Sequence, residues 1–109
     1  TILYTTTGGD PIGIEPISSI VPDRSSLSQN YPNPFNPFTN FEFQITDFGN
    51  VNLTIYDVAG RDVAVLVNET LKPGSYKADW DASYFSSGVY FYRLSAGKFS
   101  ETKKMILIK

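Results

Sequence analysis

The chain predicts an all-β fold, an antiparallel β-sandwich of about seven strands, on three observations. From residue 39 onward apolar residues recur with a period of two, as half-buried strands require. Turn-forming residues interrupt that alternation roughly every 10 residues, the spacing of short strands in a sandwich. No stretch keeps a helical period over about 11 residues.

The elements follow in chain order. Residues 1–6 (TILYTT) read as a strand ending a preceding unit, and the chain starts mid-pattern, like a piece of a longer protein. Residues 7–26 read as a linker, because Pro11, Pro16 and Pro22 each remove a backbone donor while Gly8, Gly9 and Gly13 add freedom. Its Ile12, Ile14, Ile17, Ile20 and Val21 leave room for packing on a neighbour. Residues 27–109 read as the folded domain. Its first feature, Asn30-Tyr31-Pro32-Asn33-Pro34-Phe35-Asn36-Pro37-Phe38, fixes φ at three prolines and pushes each preceding residue toward extended backbone. Tyr31, Phe35 and Phe38 are available in it as anchors.

Strands are then expected at 39–45, with Phe41, Phe43 and Ile45 on one face, and at 51–57, with Val51, Leu53 and Ile55 on one face. A third, 61–69, places Val63, Val65 and Val67 together, and a fourth, 75–81, places Tyr76, Ala78 and Trp80 together. GVYFYRLS, 88–95, is apolar on both faces, as a central strand is. The run 98–109 sets Met105 and Leu107 against Ile106 and Ile108. Asp47-Phe48-Gly49-Asn50 and Asp57-Val58-Ala59-Gly60 suit hairpin loops with Gly at positive φ, Lys72-Pro73-Gly74 presets a turn, and Ala96-Gly97-Lys98 is a tight connection. Phe43, Leu53, Trp80 and Tyr90 are the expected core. The size and strand count are immunoglobulin-like, without the cysteine pair of antibody domains.

Composition narrows function. The 109 residues include no His and no Cys, which removes His- and Cys-based nucleophile systems, Cys/His zinc sites and disulfides. Aromatics at 15% supply the burial that lets such a chain fold without metal or disulfide. The net charge of −2 gives no reason to expect nucleic acid, yet it is unevenly spread: residues 1–92 carry −6 and residues 93–109 carry +4. No run of about 18 apolar residues spans a bilayer. TILYTTTGGD has no basic start followed by an apolar stretch, so any export signal is expected upstream.

Each candidate site carries two readings. Asp79 and Asp81 share a strand face and could be calcium ligands or an acid–base pair, or simply solvated carboxylates; with no third carboxylate nearby, no metal and no catalytic residue is assigned. Tyr76, Trp80, Tyr84, Phe85, Tyr90, Phe91 and Tyr92 could stack sugars, as in a carbohydrate-binding module, or form the core. The proline segment could stiffen a sheet edge or be recognised by a partner. The lysines around Met105-Ile106-Leu107-Ile108 could guard a sticky strand or be read by a receptor.

Four stretches in unbroken order, LSQNYPNPFNPFTNFEFQI, VNLTIYDVAGRDVAVLV, LKPGSYKADWD and SSGVYFYRLSAGKFSETKKMILIK, resemble the type A C-terminal sorting domain of type IX secretion substrates. The resemblance covers residues 27–109. It implies a seven-stranded immunoglobulin-like sandwich without enzymatic activity or cofactor, attached to an N-terminal cargo in a secreted protein of Bacteroidetes-like lineages. It implies passage through the periplasm and a type IX outer-membrane translocon to the cell surface or medium. A sortase-like peptidase that removes the domain and joins the cargo to surface lipopolysaccharide is a further implied partner. Carried onto this sequence, the sorting signal would involve Pro32, Asn33, Pro34 and Phe35, then Gly88 and Tyr90, then Lys104 and Lys109. The rival readings are a fibronectin-like spacer or scaffold, as in the flagellar hook-cap sandwich, and the carbohydrate-binding module.

Overall fold

A computed structural model describes residues 12–18 and 20–109. The strand expected at residues 1–6 and the first residues of the linker lie outside them. Among the described residues eight strands form: β1 (Ile12–Ser18), β2 (Ser26–Leu27), β3 (Phe38–Ile45), β4 (Gly49–Tyr56), β5 (Asp62–Leu71), β6 (Gly74–Asp81), β7 (Gly88–Ala96) and β8 (Phe99–Leu107). One sheet has the order β1-β6-β3-β2 and the other β5-β4-β7-β8, and every pairing of strands is antiparallel. This is the expected sandwich. Among the described residues there is no helix, and none that could cross a membrane.

The core lies between the sheets, and the period-two residues fill it. Phe41, Phe43 and Ile45 of β3, Val51, Leu53 and Ile55 of β4, Tyr76, Ala78 and Trp80 of β6, and Met105 and Leu107 of β8 are all buried. Each fully buried aliphatic or aromatic side chain of this kind contributes about 1.5–3 kcal/mol. Strand β7 lies between β4 and β8, with Tyr90, Tyr92 and Leu94 inward and Val89 and Phe91 half-buried on the outer face. Its two apolar faces therefore do belong to an interior strand, although Arg93 is exposed.

Four expectations need correction. The strand count is eight because β1 forms within the segment read as linker, and β2 adds a two-residue rung. Gly13 and Pro16 hid β1 from the alternation; proline is tolerated there because β1 is a sheet edge. In β5 the Val63, Val65, Val67 face breaks. The register shifts opposite Leu53/Thr54 and again opposite Ile55/Tyr56, each skipping one β5 residue. Those bulges rephase the strand, so Leu66 and Val67 are both buried while Val65 is 43% exposed. Asp47–Asn50 is not a hairpin, since β3 and β4 belong to different sheets and the segment crosses between them. Gly49 accordingly starts β4 without a positive φ. Finally β8 ends at Leu107 rather than running to residue 109.

The Asp57–Gly60 and Ala96–Lys98 turns form as read, whereas Lys72–Gly74 crosses from one sheet to the other. Gly60 (φ 83°) closes the β4–β5 hairpin, where Asp57 Oδ1 accepts from the backbone N–H groups of Ala59 and Arg61 at 2.9 and 3.0 Å. The Arg61 N–H, the largest influence, holds the Asp57 carboxyl below its ordinary value. Gly97 (φ 62°) stands first in the two-residue β7–β8 connection, the position a type II′ turn gives to glycine. Two tyrosines fasten the crossovers between sheets. Tyr76 donates its hydroxyl to Lys72 O and Tyr90 to Ser86 O, each at 2.7 Å and each four residues upstream.

Candidate functional site

The residues nominated from the sequence come from three stretches of chain, and the fold brings most of them to the Leu107 end of β8. The proline segment lies along this end as an added partial rung. Phe35 bridges Leu107 in parallel; its N–H donates to Ile106 O at 3.0 Å, and Ile108 N–H donates to Phe35 O at 2.9 Å. Asn33 Oδ1 accepts from the Ile106 N–H at 3.0 Å. Gly88 pairs with the same Leu107 from the other side, and Tyr90 pairs with Met105. The Lys109 N–H donates to Ser87 Oγ at 3.0 Å, and its ammonium donates to Ser83 O. Lys104 sits three residues back along β8, roughly 10 Å away at strand rise.

These residues divide by exposure. Pro32, Asn33, Pro34, Gly88, Lys104 and Lys109 are exposed. Phe35 and Tyr90 are 2% and 7% exposed, so their side chains face the core rather than a partner. Both rings stand 5.9 Å from the Trp80 ring, Tyr90 edge-on, and Phe85 adds a third contact at 5.3 Å. Burial raises the Tyr90 phenol above its ordinary pKa. Of the three expected anchors only Phe35 is buried, Tyr31 and Phe38 being 76% and 61% exposed, so Phe35 alone pins the proline segment and holds the exposed Pro32, Asn33 and Pro34 beside β8.

A buried polar knot, unmarked by any local pattern, fixes the other end of the segment. Asn30 is 2% exposed. Its Nδ2 donates to Pro32 O at 3.1 Å and to Thr39 Oγ1 at 3.0 Å, while its backbone N–H donates to the Tyr92 hydroxyl at 2.8 Å. Tyr92 in turn donates to Ser28 O at 2.8 Å. Burial is the main cause that pushes the Tyr92 phenol up to about 12, against the Asn30 N–H that favours ionisation. Gln29 Nε2 donates to Lys104 O at 2.8 Å, tying the segment to β8 once more. Thr39 was findable, since it falls on the Phe41–Phe43 face. Asn30 and Gln29 follow no period, and nothing in their spacing marks them.

The alternative sites look different in three dimensions. The Tyr76, Trp80, Tyr90 and Tyr92 rings are buried and the Phe85 and Phe91 rings half-buried; only Tyr84 of the aromatic set is fully exposed, at 91%. Tyr76, Trp80, Tyr90 and Tyr92 are core and Phe85 packs on it, while Phe91 lies on the outer face of β7 and Tyr84 stands clear of both. Asp79 and Asp81 are half-exposed on the outer face of β6. Burial raises the Asp79 carboxyl, opposed by the Lys77 charge and reinforced by Glu15. Asp81 Oδ1 accepts from the Ser83 N–H at 2.9 Å and from its hydroxyl, capping the loop that follows β6. Among the described residues no group of three or more His, Cys, Asp or Glu is placed to hold a metal ion.

The family model described as "Secretion system C-terminal sorting domain" matches residues 29–109. No curated protein matches the chain. The match begins at Gln29, where the proline segment becomes tied to β8, and takes in all of the strands from β3 to β8.

Proposed function

This chain belongs to the secretion system C-terminal sorting domain family, the sorting signals of type IX secretion, and on that premise we propose how its folded unit is read. Residues 27–109 form a non-catalytic signal, recognised by components of the outer-membrane translocon, that carries a covalently attached N-terminal cargo across the outer membrane. A sortase-like peptidase then separates the two in the segment before Leu27. Cargo so exported reaches the cell surface or the medium through the periplasm. The signal is a composite surface: Pro32, Asn33 and Pro34 beside Gly88, Lys104 and Lys109, with Phe35 and Tyr90 holding it in place from beneath.

One observation carries this reading. Motifs far apart in sequence converge on one strand end, where Asn33 and Ile106, 73 residues apart, are joined by a hydrogen bond. A folded domain can present fixed motifs of this kind without metal or disulfide. The test is a fusion of residues 27–109 behind a signal peptide and a reporter in a host with a type IX system. Export of the reporter, and its retention in the periplasm when the domain is omitted, is the expected result. Equal export with and without the domain would sink the proposal.

A further inference from the structure

We propose that the Ser100–Lys104 half of β8 is an open sheet edge that accepts one added strand from the secretion apparatus, an extended segment bearing acidic side chains. This rests on the sorting reading above and names the contact by which the domain is held.

Sheet edges are ready templates for strand addition, and proteins ordinarily blunt them. Among the described residues, three of the four sheet edges are blunted. Strand β1 carries Pro16 and a register break beside it, β2 is two residues long, and β5 has two register breaks. The fourth, β8, is nine residues long and covered over half its length. In an antiparallel strand, successive residues turn both backbone groups to alternate sides. Lys104 O, both groups of Ile106 and the N–H of Ile108 face away from β7, and Gln29, Asn33 and Phe35 satisfy them. The same parity turns the N–H and C=O of Ser100 and Thr102, and the N–H of Lys104, to that side. Among the described residues only β7 pairs with this stretch.

The charge around the opening selects the occupant. Arg93, Lys98 and Lys104 have no ion pair among the described residues, whereas Lys103 is held by Glu101 at 3.1 Å. Arg93 lies directly across the ladder from Thr102. Both line an open groove of about 390 Å³ on the outer face of the sheet, with Tyr56, Phe91 and Asp57 also in its wall, the Asp57 carboxylate being engaged by Arg61 at 3.0 Å. A strand laid on Ser100–Lys104 would send alternate side chains over that face, where a carboxylate meets Lys104 or Arg93. A second copy of β8 would instead bring its own Lys98 and Lys104 into the seam, and opposed like charges destabilise strand pairs. The lysines guard the edge against its own kind and admit an acidic strand.

Proline substitution separates edge from fold. The Thr102 N–H points away from β7, so Thr102→Pro removes an outward donor without breaking the ladder, as edge strands tolerate. The chain over residues 1–109 is fused behind a signal peptide and reporter in the competent host, and Thr102→Val serves as control. Thr102→Val is expected to export like the parent. Thr102→Pro is expected to melt within a few degrees of it and to lose export at least tenfold, with accumulation in the periplasm. In the free protein the Ser100 and Thr102 amides are expected to exchange hydrogen quickly and those of Lys103 and Met105 slowly. Folded Thr102→Pro exported at the parental level overturns the proposal, as does a slowly exchanging Thr102 amide in the monomer. So does a concentration-dependent dimer, seen by ultracentrifugation, that Thr102→Pro abolishes while export persists. Should Thr102→Pro fail to fold, Ser100→Pro is read by the same criteria. A parent fusion that is not exported at all sinks the sorting reading itself, an outcome distinct from those above.

Discussion

The rings of Phe35, Phe85 and Tyr90 stand 5.9, 5.3 and 5.9 Å from the Trp80 ring, and the indole itself is 1% exposed. Truncating it leaves a cavity bordered by stiff rings that cannot collapse inward, so Trp80→Ala should cost about 3–5 kcal/mol in denaturant unfolding. A loss under about 1 kcal/mol would remove the indole from the core. Trp80 was legible as core from alternation alone, because a strand has only two faces. The polar contacts of Tyr92 were not, because they depend on Asn30 arriving from a segment with no period. Tyr92 also sets a pH dependence. Its folded pKa of about 12 lies above the ordinary value of 10.0, so between those values the native state keeps a proton the unfolded chain has lost. Stability is complete below about pH 10 and falls as pH rises toward 12; Tyr76 and Tyr90 shift in the same direction. Tyr92→Phe should flatten this alkaline loss in unfolding titrations. At neutral pH it should cost about 1–3 kcal/mol, since the Asn30 N–H loses its buried acceptor.

Strands, turns and the segment clipped to β8 obey different rules, and the sequence disclosed them unequally. Strands β3, β4, β6 and β8 were legible because a single phase runs through each. In β5 the two register breaks reset the phase inside one strand, and a bulge leaves no mark in an apolar run such as VAVLV. Gly88 was nominated for recognition, yet its backbone gives it a separate reason to be glycine. Its φ of 154° is one that side-chain-bearing residues rarely adopt, while the space beside it is open. Gly88→Ala should therefore cost about 1–3 kcal/mol through conformation alone, measured by denaturant unfolding; a neutral result would leave recognition as its only role. Asn33 has a structural role of a different kind, as the acceptor for Ile106. Asn33→Ala should cost only about 0.5–1.5 kcal/mol, the net value of one hydrogen bond. It should speed hydrogen exchange at the Ile106 amide and leave the Met105 amide, paired with Tyr90, protected. Equal acceleration at both would mean that the whole strand end opens, not one clip.

Across the whole molecule, the division of the chain into linker and domain is where sequence reasoning reached least far. Period and turn chemistry located the sandwich from residue 39, but the convergence of the proline segment on β8 needed contacts 73 residues apart that no local pattern encodes. Strand β1 is the other case. It pairs with β6 over Ile12–Ser18, directly opposite Trp80 at Ile12 and Tyr76 at Pro16, and Ile14 packs on the core. The exposed Ile20 and Val21 lie between β1 and β2. Cleavage there, before Leu27, would leave β1 with the cargo and strip one sheet of an edge strand, so that β6 becomes the new edge. The severed ladder and the lost Ile14 burial should together exceed about 1 kcal/mol, and in a domain of this size each such amount lowers Tm by roughly 4–8 °C. Residues 27–109 should accordingly melt at least that far below residues 12–109 in calorimetry, and the β6 amides facing β1 should lose exchange protection. Coincident melting curves would show that β1 adds nothing to the fold and that the domain is indifferent to separation from its cargo.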